Sequence, residues 1–182
     1  MHATAFDSPH TERMKIRPAQ LDDAAAIRAV NLDAFETSAE ADLVDALCAR
    51  AAPIVSLVAE DAGTIVGHIL FTPMTLDSNP DLNVMGLAPM AVLLERQQQG
   101  IGSALVRAGL DECWRLGALA VAVLGHSTYY PRFGFVPASR FGLQSDYDVP
   151  DDVFMVIERE PGALAGGHGV LRYHHVFAEF GL

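Results

Sequence analysis

The residues best placed to do chemistry in this chain run from Met90 to Ser103, MAVLLERQQQGIGS. An apolar, strand-like run ends there, and Gln97-Gln98-Gln99-Gly100-Ile101-Gly102-Ser103 opens a long helix-like segment. The first-turn N–H groups of a helix have no partners within the helix. With glycine at 100 and 102 no Cβ stands in the way, so those groups can wrap an anion that the helix dipole also attracts. The spacing therefore predicts a pyrophosphate cradle. A P-loop is excluded, because no Lys lies near. A dinucleotide-binding turn fails too. Leu105 stands where its third glycine belongs, and apolar Ala120-Val121-Ala122-Val123-Leu124 fills the region where a ribose-binding acid is needed.

Gln97-Gln98-Gln99-Gly100-Ile101-Gly102 does fit Gln/Arg-x-x-Gly-x-Gly/Ala, and in this the chain resembles the GNAT superfamily of N-acetyltransferases. Downstream, Tyr130 with Gly134-Phe135 fits that family's Tyr-x-x-x-Gly-Phe. The fuller wording is Val123-Leu124-Gly125, then Tyr129-Tyr130-x-Arg132-Phe133-Gly134-Phe135. With Gly67-His68-Ile69-Leu70-Phe71, Tyr173 and Phe177, it resembles the YhbS-like branch. The likeness spans Lys15 to Phe177. It implies an α/β GNAT fold, a mixed central sheet of about six to seven strands flanked by helices. It also implies acetyl-CoA as acetyl donor, no metal, an amine acceptor (a small molecule or a peptide), and a homodimer.

The same resemblance assigns residues. Gln97, Gln98, Gln99, Gly100, Ile101, Gly102 and Ser103 are expected around the pyrophosphate. Met90, Ala91 and Val92 are expected to meet the pantetheine amides through their main chain, on a strand splayed from its parallel neighbour. Tyr130 is expected beside the CoA sulfur as general acid. The phenol's ordinary pKa near 10 keeps it a donor at neutral pH. Tyr129 is its understudy, and both rings also read as packing. Where relatives carry Asp-Pro-Glu this chain has Leu93-Leu94-Glu95, so no carboxylate chemistry is expected at the departing positions.

The base is less defined. His68 sits mid-strand beside Gly67, where backbone can approach a ligand closely, and imidazole titrates in the useful range. A sheet histidine satisfied by a neighbour is the stronger reading. Glu36 and a water chain are the other options. Neither Cys48 nor Cys113 lies in the cradle, so direct attack of the amine in a ternary complex is expected rather than an acetyl-enzyme. The rival readings are a CoA-binding sensor or partner module without turnover, and a nucleotide-binding oxidoreductase.

Stepwise along the chain, Met14 to Arg17 reads as an edge strand stopped by Pro18. Helices follow from Leu21 to Phe35 and from Ser38, with Asp33, Glu36 and Glu40 near the break between them. Strands are expected at 54–60, 64–75 and 82–94, with a tight turn at Asp61-Ala62-Gly63. A helix from Gly100 to Leu116, closed by Gly117, leads to a buried parallel strand at 120–124. A turn-rich loop at 141–152 and strands at 153–158 and 170–173 complete the pattern. His174 and His175 are adjacent, a poor metal pair in a strand.

At 182 residues and 51% apolar, the chain suits one domain over 14–182 behind a flexible lead-in at 1–13. No apolar run reaches a membrane span, no signal-peptide block is present, and the cysteine usage fits a reducing cytoplasm. The net charge of −11 argues against nucleic acid as partner. It favours cationic acceptors, or simply solubility.

Overall fold

Two long strands carry the architecture. The computed structural model describes residues 14–181; the expected lead-in at 1–13 lies outside them. Strand β1 is Lys15–Pro18, followed by helices α1 (Ala24–Ala34) and α2 (Ala39–Arg50). The meander β2 (Val55–Asp61), β3 (Thr64–Leu76) and β4 (Asn79–Val92) comes next, then α3 (Ile101–Arg115) and β5 (Ala120–Leu124). Short strands β6 (Val136–Pro137) and β7 (Leu143–Ser145) precede β8 (Phe154–Glu158) and β9 (Gly169–Arg172).

All nine strands join one sheet in the order β1-β2-β3-β4-β5-β8-β6, with β9 bridging β3 and β7. Only β4–β5 and β7–β9 run parallel. The count exceeds the expected six to seven because β6 and β7 are pieces of two and three residues. Such pieces are too short to show alternation, and β7 lies inside the stretch read as a loop.

The sheet has a core on each face. Helices α1 and α2 cover one, with Val30, Leu43 and Leu47 meeting Val58, Leu70 and Leu76. Helix α3 covers the other, with Leu105, Val106 and Cys113 packing on Leu57, Ile69 and Phe71. Close approach there needs Gly109, since a Cβ on it would stand 2.2 Å from Phe71 Cε2. The start of α1 departs from expectation. Leu21–Asp23 is a single 3-10 turn rather than the first turn of the α-helix, and Asp23 is a buried acceptor. It takes Arg17 Nη1 at 2.6 Å and the Gln20 N–H at 2.7 Å, while Arg17 Nε reaches Glu60 at 2.6 Å. The edge strand is thus tied to the first helix.

One irregularity positions the site. Between Ile69 and Phe71 on β3 the partner residue changes from Met90 to Leu87, so β4 carries one extra residue around Ala88-Pro89. A bulge bends its strand, and proline offers no N–H to a ladder. Parallel pairing of β4 with β5 covers only Val84–Leu87. Beyond the bulge, Met90, Ala91 and Val92 pair with β3 alone. The expected splay is present, and its cause is local.

Candidate active site

The gap opened by the splay faces the start of α3. Gly100 is the N-cap residue at φ +85°, the left-handed region that disfavours any side chain. Gln98 before it also lies at φ 60°. The turn is pinned by Gln97 Nε2, which donates to Val92 O at 3.1 Å, and by Gln99 Nε2, which donates to Glu95 O at 3.1 Å. Together these place the open first turn of α3 at the mouth of a cavity of about 670 Å³.

Most of the sequence-derived site residues meet around this cavity. Met90 and Val92 line it from β4, Gln97 and Gln98 from the turn, and Gly100, Ile101, Gly102 and Ser103 from the helix start. Tyr130 closes the far side. Ala91, Gln99 and His68 are absent from the lining. For Ala91 the reason is strand alternation. Its carbonyl lies 3.3 Å from where a Gly67 Cβ would stand, and the Leu93 N–H donates to Val66 O, so these main-chain groups face β3. Met90 and Val92, one residue out of phase, turn their N–H groups to the gap. Gln99 bonds its own turn instead.

His68 lies elsewhere. It is fully buried on β3, its Nε2 is 3.0 Å from Ser56 Oγ, and burial pulls its pKa down to about 4. That ring is neutral at pH 7. Of the acids at the helix break, Glu36 lines neither cavity described here, and Asp33 accepts the Leu94 N–H at 2.7 Å. Only Glu40 reaches a cavity wall, and it is a different one.

This second cavity, about 540 Å³, lies on the α1–α2 side of the gap. Its walls come from Phe35, Leu43, Leu87, Tyr147, Tyr173 and Phe177, with Glu40 its one carboxylate among the described residues. Met90, His126 and Tyr130 line both cavities, so the two meet there. Tyr130 sits in a 3-10 turn, Tyr130–Phe133, that follows β5. Its ring rests on Gly125, and its edge meets Tyr129 and Phe135. Burial pushes its phenol well above the ordinary value, so it is protonated across the neutral range. Tyr129 lines only the first cavity, where its Oη is 3.3 Å from Ser103 Oγ. Tyr173, largely buried, accepts the Leu124 N–H at 3.0 Å.

Sequence reasoning missed the cationic rim and His126. Arg96, held 2.5 Å from Asp61, and Arg132, stacked 4.5 Å over the Tyr129 ring, both line the first cavity. In a chain of net charge −11 their placement beside an open helix N-terminus marks an anion site. The available signal for His126 was topological: it lies just beyond the carboxyl end of β5, where open sheets bind ligands. Among the described residues no group of three His, Cys, Asp or Glu is arranged to hold a metal.

Known proteins carry the same frame. Residues 24–135 match the model of the acetyltransferase (GNAT) family. The chain is 45% identical to an uncharacterized N-acetyltransferase of Escherichia coli, YjhQ, over 71% of this chain and 74% of that protein. It is 35% identical to another from that organism, YhbS, over 87% and 95% respectively. A crystal structure of YhbS in complex with CoA superposes with a TM-score of 0.88 at 35% identity, covering 100% of this chain and 98% of that one. A Brucella melitensis GNAT acetyltransferase in complex with acetyl-CoA gives 0.74 at 34% identity, covering 91% and 98%. With the splayed strand, the glycine turn and the sheet order in place, the chain belongs to the GNAT family of acetyltransferases.

Proposed function

We propose that the protein transfers the acetyl group of acetyl-CoA to a primary amine by direct attack in a ternary complex. The observation that carries this is the meeting of two cavities at Met90, His126 and Tyr130. One has the cationic rim and open helix start suited to a CoA pyrophosphate. The other has the space for an acceptor. CoA and acetyl-CoA in the solved relatives support the donor.

In this reading the first-turn N–H groups of α3 hold the pyrophosphate, with Arg96 and Arg132 beside it. The β4 main chain at Met90 and Val92 meets the pantetheine amides as a missing strand would. The N–H of Val92 or Met90 polarises the thioester carbonyl as charge develops on its oxygen. The neutral amine attacks that carbonyl, the C–N bond forms and the C–S bond breaks. Tyr130 gives its proton to the departing thiolate, and the proton shed by the amine passes to His126 or to water. The products are the N-acetyl amine and CoA thiol. Holding both reactants at one junction supplies much of the rate by itself.

Thiol release from acetyl-CoA across an amine panel tests the reading, with Tyr130→Phe alongside. Turnover that falls by about a hundredfold in the variant, with acetyl-CoA affinity kept, is expected of a general acid. Acetyl-CoA binding without thiol release on any amine would instead favour a CoA-binding module.

A further inference from the structure

We infer that the acceptor is an amine with a large apolar body, aryl or alkyl, and no carboxylate or phosphate; this rests on the acetyl-transfer reading above. The two cavities are opposite in character. The donor side carries Arg96 and Arg132, whereas the acceptor side has no Lys or Arg among the described residues of its lining. Among the described residues Glu40 is its one formal counter-charge. An acceptor carboxylate would therefore enter without a partner, next to a carboxylate of the same sign. Burying an unpaired charge of that kind is strongly unfavourable.

The wall chemistry sets the rest of the molecule. Phe35, Leu43, Leu87, Tyr173 and Phe177 present rings and aliphatic groups. The polar end of Tyr173 is already engaged, accepting from the Leu124 N–H at 3.0 Å, so its ring is the surface it offers. Tyr173 and Phe177 meet with centroids 4.8 Å apart and ring planes tilted by 45°, making one continuous aromatic wall. A polyhydroxylated sugar amine would lose its water here without gaining enough partners. A polyamine would bring further cations where only Glu40 can answer them. An arylalkyl or alkyl amine loses apolar hydration instead, and its single ammonium is drawn by Glu40 before it gives up its proton.

Glu40 is well suited to that task. It stands in the first turn of α2, half-buried, and its Oε2 accepts from Thr37 Oγ1 at 3.3 Å. Neither Arg28, committed to Asp42 and Asp45, nor Arg50, committed to Glu179, competes for it.

The test is a matched pair. Phenethylamine and L-phenylalanine share ring and amine and differ by the carboxylate. With acetyl-CoA saturating, kcat/KM is expected about a hundredfold higher for phenethylamine. Hexylamine should also be accepted, and spermidine and kanamycin should be poorer by at least about tenfold. Glu40→Gln should raise the KM for phenethylamine about tenfold while the KM for acetyl-CoA stays unchanged. Efficient turnover of L-phenylalanine, spermidine or kanamycin in preference to the apolar amines overturns this inference and leaves the transferase reading intact. Acetyl-CoA binding with thiol release on no amine overturns both. Calorimetry showing no acetyl-CoA binding locates the failure in the donor site itself.

Discussion

The Tyr130 ring rests directly on Gly125: a Cβ at that glycine would stand 2.3 Å from Tyr130 Cε2. Nothing short of moving the ring makes room. Gly125→Ala should therefore displace the phenol from the junction of the two cavities. We expect kcat to fall by about a hundredfold with the KM for acetyl-CoA within about threefold, as for a misplaced catalytic group. Steady-state thiol release checks this.

The glycine turn separates residues that line the donor cavity from one that does not. Gly100→Val forces a β-branched side chain into φ +85° at the start of α3. Calorimetry should show acetyl-CoA binding weakened at least about tenfold, from the left-handed strain and the lost approach to the first-turn N–H groups. Gln99→Ala should weaken binding less, by about threefold, because that side chain stays out of the cavity and acts only through the turn it pins at Glu95 O and through Arg96. Equal losses in the two variants would contradict this division.

Stability should carry a histidine signature. His68 titrates near 6.5 in the unfolded chain and is held at about 4 in the fold by burial. Between those values the unfolded chain binds a proton that the folded chain refuses. The stabilisation is complete above about pH 6.5 and is lost as pH falls toward 4. From pH 6.5 to 5 the loss attributable to His68 is about 1.5 kcal/mol. Burial also lowers the pKa of His174, which adds a smaller slope of the same sign. Urea titrations of the native chain and His68→Gln across this range should differ, the variant showing the flatter profile.

The hairpin between β2 and β3 holds an improvable residue. Ala62 and Gly63 form its two-residue turn with φ 48° and 79°. Asparagine tolerates the left-handed region better than alanine and favours this turn type. Ala62→Asn should raise stability by about 1 kcal/mol, or Tm by about 2–4 °C. Calorimetric melting would read it, with activity unchanged because the turn lines neither cavity.

The donor half of the site was legible in the sequence because backbone demands leave letters behind. A positive φ at Gly100 and the close seat of Tyr130 both select glycine, and the strand begins to splay where Pro89 interrupts an apolar run. The acceptor half was not legible. Its walls come from the α1–α2 break, β4, the segment after β5 and the chain's last turns, and no spacing connects Phe35 with Tyr173 before the chain folds. His68 shows a related limit. Alternation says that a strand residue faces one side or the other, but not whether that side holds a ligand or a helix. Nor does any spacing announce that the fold brings Arg17 to 2.6 Å from Asp23.

The family match ends at residue 135, yet Tyr147, Tyr173 and Phe177 in the second cavity's wall all come later. The glycine turn, the β4 gap and Tyr130 all lie before that point. Most of that wall, from Phe35 and Glu40 to Tyr130, still lies within the matched stretch, so the closing segment adds three aromatic rings to a cavity that the shared frame has already opened. An engineer could redraft those three rings to reshape the second cavity and leave the residues of the first as they stand.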